Sequence, residues 1–147
     1  MSHSRKRKIS VVCRYLTYTD ADGQTWRLPM VHLRVAYGGM SLRTLALVDS
    51  GATGTFLPPD IAESLNMPIG ESTEVTGAGG KLEAYASNAD LTVLKGLHPV
   101  IEFKNFPVLI PRSLEAIPYV ILGRDSLFQK AQITFRERDE KLLLKSY

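Results

Sequence analysis

Residues 45–57, LALVDSGATGTFL, carry a carboxylate, Asp49, out of four consecutive apolar residues into Ser50, Gly51 and Ala52. Acids ordinarily stay on wet faces. A strand apolar at every position from 45 to 48 is expected to be buried on both faces. A carboxylate at its end is then partly desolvated and held by the N–H groups of a small turn. In such a place a carboxyl pKa becomes tunable. Gly51 allows a second backbone to approach closely, and Ser50 can hydrogen-bond across such a contact. Taken alone, DSG is equally ordinary turn chemistry, an Asx turn in which the side chain caps its own loop.

Two further stretches shift that balance. Residues 119–127, YVILGRDSL, are an apolar run closing on Gly123, Arg124 and Asp125. Between the two lies TGAGGK at 76–81, a glycine cluster between strand-like arms. Other chemistries find less footing. His3, His32 and His98 are far apart and show no zinc-type spacing, so no metal is expected. His32 falls in a strand pattern and reads as structural. No Gly-x-Ser-x-Gly elbow occurs, and Ser50 has no evident histidine partner. The glycine cluster is not followed by Lys-Ser/Thr or a helix, which argues against phosphate binding. Cys13, the lone cysteine, reads as a small core hydrophobe. No cofactor is called for.

The elements that must position Asp49 are mostly strands. Residues 9–18 and 26–36 are rich in β-branched and aromatic side chains around a turn at 20–24, which predicts a hairpin. Pro29 predicts an edge or an irregularity in its second strand. Gly38-Gly39 predicts a tight turn into a strand over 41–48. Residues 58–65, PPDIAESL, predict one short helix. Strands are predicted at 87–94, 100–103, 106–110 and 119–122, a short helix within 124–131, and strands at 133–135 and 142–144. Many short strands and few helices mean an all-β barrel or sandwich.

The chain has 147 residues, which suits one core burying roughly 70% of the unfolded surface. Apolar residues make up 44% and charged residues 22%, and the net charge is +3. No apolar run approaches the ~20 residues of a membrane span. The basic start, SHSRKRK, is not followed by a signal-like cleavage pattern. With one cysteine, a reducing cytoplasm is the expected compartment. Residues 1–8 read as a solvated basic tail, with one domain over 9–147. The tail's four consecutive cations at 5–8 are the one feature that points toward nucleic acid, and the rest of the chain lacks basic-aromatic interleaving.

The order of the three stretches resembles the retropepsin-like aspartic proteases, the single-domain relatives of retroviral proteases, over about residues 29–135. The short helix after the Asp motif is closer to the cellular and prokaryotic branch. The resemblance implies an all-β, closed acid-protease barrel with one or two short helices, active as a symmetric homodimer on a peptide or protein substrate. It implies that Asp49 is catalytic, that Ser50 hydrogen-bonds across the dimer, and that the Gly51 backbone meets substrate. Ala52 and Thr53 follow in the groove. Gly77, Ala78, Gly79 and Gly80 match the tip of a flap, while Leu47, Phe56, Pro118, Tyr119 and Ile121 fall at pocket positions. Gly123 matches the glycine packed behind the active-site loop, and Arg124 the arginine that ties the helix to the interface. Viral members often carry an acid where Thr53 stands, so Arg124 needs another partner. The first ~25 residues and the final EKLLLKSY extend past the viral pattern.

Aspartic proteolysis needs two carboxylates sharing one proton, and this chain has one such motif. Activity would therefore require a two-fold axis between two copies of Asp49. The alternatives are an inactive, peptide-binding or dimerisation module of the same fold, and a nucleic-acid-associated protein working through its tail.

Overall fold

The structure, a computed structural model, describes residues 8–77, 80–113 and 116–147. The first apolar run forms two strands, β1 (Ser10–Arg14) and β2 (Leu16–Thr19), rather than one. The break falls at Tyr15, which is buried and donates its N–H to the Glu140 carbonyl at 2.8 Å. The hairpin forms as expected: β2 pairs antiparallel with β3 (Thr25–Leu28). Its turn is closed by Asp20 Oδ1, which accepts from the N–H groups of Asp22 (3.0 Å) and Gln24 (2.9 Å). Pro29 then interrupts the strand, and β4 (Met30–Tyr37) begins after it.

Strand β4 reverses at Gly38-Gly39 into β5 (Met40–Val48), with Tyr37 opposite Met40. Both glycines have positive φ (58° and 81°), which a right-twisted two-residue hairpin turn demands. Helix α1 (Pro59–Ser64) starts behind Pro58 and turns Ile61 and Ala62 inward. Strands β6 (Ser72–Gly77) and β7 (Gly80–Lys95) form the glycine hairpin, and β8 (His98–Pro111) follows.

Three short strands predicted between residues 87 and 110 are thus parts of two long ones. Lys104 and Asn105, left between two predicted strands, are a bulge in the ladder. Pairing skips from Ala89–Phe106 to Leu91–Phe103. Asn105 takes a left-handed φ of 48°, and its N–H donates to Asp90 Oδ1 at 2.7 Å. Asp90 therefore caps the bulge and lets both strands run on.

The chain continues through β9 (Val120–Leu122), α2 (Leu127–Lys130), β10 (Ala131–Arg136) and β11 (Lys141–Ser146). The main sheet runs β6-β7-β4-β5-β9, with β8 also on β7. Phe56 closes it into a ring by bridging Ile121 of β9 on one side and Leu109 of β8 on the other. The closed barrel expected from the sequence is the architecture observed. Leu33, Val35, Leu57, Leu91, Val93, Ile110 and Leu122 are fully buried inside it.

The two ends of the chain pair with each other. Strand β11 lies between β1 and β10, and the Ser146 N–H donates to the Ile9 carbonyl at 2.8 Å. Cys13, half-buried on β1, packs against the core, and burial pushes its thiol pKa up, so it behaves as a hydrophobe. Among the described residues no helix is long and apolar enough to cross a membrane.

Candidate active site

Strands β5 and β9 build the site. They pair in parallel, with Ala46 beside Val120, Leu47 beside Ile121 and Val48 beside Leu122. Side chains alternate faces along each strand. Ala46, Val48, Val120 and Leu122 point into the core and are buried. Leu47, Tyr119 and Ile121 point to the other face and are only half-buried. The expectation of burial on both faces is therefore corrected. One face is core, and the other is an apolar floor that the chain itself leaves half-covered. Phe56, bridged to Ile121, adds a fourth half-buried side chain to that floor.

Asp49 follows Leu47 by two residues and so emerges on the same open face. Its N–H still donates to the Leu122 carbonyl (3.1 Å), which continues the β5–β9 pairing one step beyond the strand. Its Oδ1 accepts the Gly51 N–H at 2.8 Å, and its carbonyl accepts the Ala52 N–H at 3.3 Å. The Asx turn is present, then, and it fixes the carboxylate on the open face. A Cβ at Gly51 would stand 3.1 Å from Asp49 Oδ1, tighter than an ordinary contact, so a side chain there would press on the carboxylate. Ser50, Gly51 and Thr53 are exposed and Ala52 is half-buried.

The loop is held from behind by Gly123, which is buried. A Cβ at Gly123 would sit 2.1 Å from the Gly54 carbonyl oxygen and 2.8 Å from that of Ala52. The Arg124 N–H donates to Ala52 (2.8 Å) and the Asp125 N–H to Thr53 (3.2 Å). The Arg124 side chain is exposed and forms none of the ion pairs found among the described residues.

One buried polar network behind the loop escaped the sequence reading. The Thr55 hydroxyl donates to Asp125 Oδ1 at 2.7 Å and lies 2.9 Å from Ser126 Oγ. Ser126 Oγ reaches the Gly123 carbonyl at 3.2 Å. Thr55 and Ser126 are buried, so the network locks the two motif segments together where solvent cannot compete. The signal that could have found it is a threonine and an Asp-Ser pair flanking two strands that must meet.

The glycine hairpin pairs Gly77 with Gly80 at its end, and Gly80 has φ 107°. Ala78 and Gly79, the expected flap tip, lie outside the described residues. Ser72 to Thr76 of β6 are exposed except at Val75, and among the described residues β6 pairs with β7 alone. Pro118 is exposed beside half-buried Tyr119. Tyr119 has its pKa raised, chiefly by burial, then by Tyr18 and by the charge of Asp49. His32, half-buried on β4, is held below its ordinary pKa by burial and by Arg43. Clefts of about 900 and 710 Å³ lie at the far end, around Ile9 and Val100. Asp49 lines neither of them.

Comparison with known proteins bears on the fold and the family. The chain is similar over its length to a retropepsin-like aspartic protease from Rickettsia conorii, with TM-score 0.60 at 16% identity, covering 99% of this chain and 98% of that one. Two viral structures also match. The EIAV protease in complex with an inhibitor is 24% identical, with TM-score 0.46, covering 69% of this chain and 86% of that one. The simian foamy virus protease is 18% identical, with TM-score 0.43, covering 67% and 90%. No curated protein matches the sequence. A family model described as aspartyl protease matches residues 32–126, well over half of the chain and the span holding Asp49, the glycine hairpin and Gly123. The chain belongs to the aspartyl protease family.

Proposed function

We propose that the protein is an aspartic endopeptidase that works as a symmetric homodimer. The observation that carries this reading is Asp49, fixed by the Gly51 N–H on an apolar floor that the chain does not cover itself. Leu47, Phe56, Tyr119 and Ile121 supply that floor, with Pro118 at its margin, which suits a peptide with apolar side chains. A second chain brings the second Asp49 and the other half of the groove.

In the dimer the two carboxylates share one proton. Like charges about 3 Å apart cannot both ionise, so one pKa falls and the other rises, and both values belong to the pair. The ionised carboxylate takes a proton from water as the water attacks the scissile carbonyl. The protonated one donates to the developing oxyanion. Collapse of the tetrahedral species passes a proton to the leaving amine. Ser50, exposed next to Asp49, bonds its counterpart across the axis, while Ala52 and Thr53 border the peptide. Gly123 and Arg124 hold the loop from behind through Ala52. The hairpin of residues 77–80 closes over the peptide as a flap, holding it as an extended strand and excluding bulk water.

Asp49→Asn tests the assignment. Wild-type protein is expected to cleave a peptide library with a bell-shaped pH profile on the acid side. The variant is expected to lose roughly 1000-fold or more of that activity. Equal cleavage by both, including at acidic pH, refutes it, and no cleavage by either leaves an inactive peptide-binding or dimerisation module. Mixing tests the dimer separately. With exchanging subunits, activity falls as the square of the wild-type fraction, whereas a monomer would lose activity in simple proportion.

A further inference from the structure

Ahead of the segment that matches the family model stands the β2–β3 hairpin. It is not an unattached extension. Val48 donates its N–H to the Pro29 carbonyl (2.9 Å), and Met30 lies opposite Leu47, so β3 leads into β4 at the level of Asp49. The hairpin therefore projects beyond the end of the strand that delivers the carboxylate.

Its two faces differ. Thr17 is opposite Arg27 on one face, and Arg27 donates to Thr17 Oγ1 (3.0 Å) and to Glu140 Oε2 (2.8 Å). Those contacts tie the polar face to the β10–β11 turn. The other face carries Leu16 opposite Leu28 and Tyr18 opposite Trp26, an apolar strip. Tyr18 meets Tyr119 edge-on, with ring centroids 5.1 Å apart and planes at 90°. Tyr119 shares its face with Ile121 and, through the parallel pairing, with Leu47 and Asp49. The strip thus continues the floor of the site outward, from Ile121 to Tyr119, Tyr18 and Trp26.

Trp26 ends the row and is 49% exposed. It is nevertheless oriented, because its indole N–H donates to Asp20 Oδ2 at 3.0 Å while the other oxygen of that carboxylate closes the turn. A large aromatic held in place but left half in water is an unfilled contact surface.

We propose that this hairpin is a specificity wall of the substrate groove. Tyr18 and Trp26 select an aromatic or long aliphatic side chain of the peptide, at a position outside the pair that flanks the scissile bond. The proposal rests on the protease reading above. Tyr18 and Trp26 are specificity-determining residues and take no part in proton transfer.

The test uses the full chain and a peptide library varied at each position around the cleaved bond. Tyr18→Ala and Trp26→Ala are expected to lower kcat/KM for peptides with a bulky apolar residue at one outer position about tenfold relative to peptides with alanine there, mainly through KM. Tyr18→Phe is expected to retain the wild-type profile, because the contact is made by the ring and not by the hydroxyl. A wild-type profile in both alanine variants overturns the proposal. A second readout needs no variant: Trp26 is the single tryptophan of the chain. Binding an uncleavable peptide with a hydroxyl isostere at the scissile position and phenylalanine at the positions outside the pair that flanks it is expected to shift its emission. Silent emission at saturation, with binding measured by calorimetry, overturns the proposal as well. Failure of the protease reading is recognised separately: Asp49→Asn then cleaves as wild type does, and the hairpin inference falls with it.

Discussion

The two faces of the β5–β9 pair are equally apolar in sequence and opposite in use. Ala46, Val48, Val120 and Leu122 are 0%, 2%, 0% and 0% exposed. Leu47, Tyr119 and Ile121, interleaved with them, remain half-open to solvent next to Asp49. Hydrophobicity on the first face holds the barrel shut. On the second, where Tyr18 packs on Tyr119, the described residues leave the face partly uncovered, and under the proposed function the open area is what a peptide and a second subunit cover. An uninterrupted apolar strand therefore has two explanations, burial on both faces or a site on one, and the run of residues does not separate them.

The sharpest way to break the arrangement is from behind. Gly123→Ala puts a methyl 2.1 Å from the Gly54 carbonyl oxygen, a backbone atom with nowhere to go. The expected cost exceeds the roughly 1–3 kcal/mol of ordinary overpacking. That is a large share of the roughly 5–15 kcal/mol that holds a domain folded, and far-ultraviolet dichroism with urea titration measures it. A stable, folded Gly123→Ala protein would mean that the two motif segments are not pressed together.

Neighbouring positions on the two faces sharpen the contrast. Leu122→Ala removes a fully buried side chain and is expected to cost about 3 kcal/mol. Ile121→Ala, one residue away on the open face, is expected to cost about 1 kcal/mol and to raise KM for apolar peptides. Chemical denaturation and peptide kinetics on the pair decide the point. Equal loss of stability at the two positions would make the open face a second core.

Much of this was legible in the sequence because it depends on local chemistry. The Gly38-Gly39 turn, the hairpin around residues 20–24, the helix behind Pro58 and the order of the Asp49, glycine-hairpin and Gly123 segments all follow from residue type and spacing. What was not legible depends on contacts between distant segments. The Lys104-Asn105 bulge exists because Asp90, on the other strand, caps it. The split at Tyr15 depends on Glu140, at the opposite end of the chain. Half-exposure of the Leu47 face could not be read from an unbroken run of apolar residues.

The Thr55–Asp125–Ser126 network belongs to the same class, and its removal is the next smaller effect. Thr55→Val keeps the volume but leaves the Asp125 carboxylate without its 2.7 Å donor. A loss of about 1–3 kcal/mol is expected, with activity lowered further because the Asp49 loop is backed by the same segments. Thr55→Ser, which keeps the hydroxyl, is expected to recover most of the activity. Equal behaviour of valine and serine would reduce the network to mere packing.

The smallest effect tests whether Asp49 and Tyr119 share one face. Tyr119 has its pKa raised above 10.0, first by burial, then by Tyr18, then by the Asp49 charge. Asp49→Asn removes the third cause and leaves the first two, so the Tyr119 phenol is expected to titrate lower than in the wild type but still above its ordinary value. Ultraviolet difference titration, referred to the Tyr119→Phe variant, isolates it from the other tyrosines. The sign carries over to stability. A phenol whose folded pKa is raised contributes stability that is complete below pH about 10 and is lost as pH rises through the folded value. In Asp49→Asn that loss is complete at a lower pH. An unmoved Tyr119 titration in Asp49→Asn would separate the two side chains and detach the aromatic row from the carboxylate it is proposed to serve.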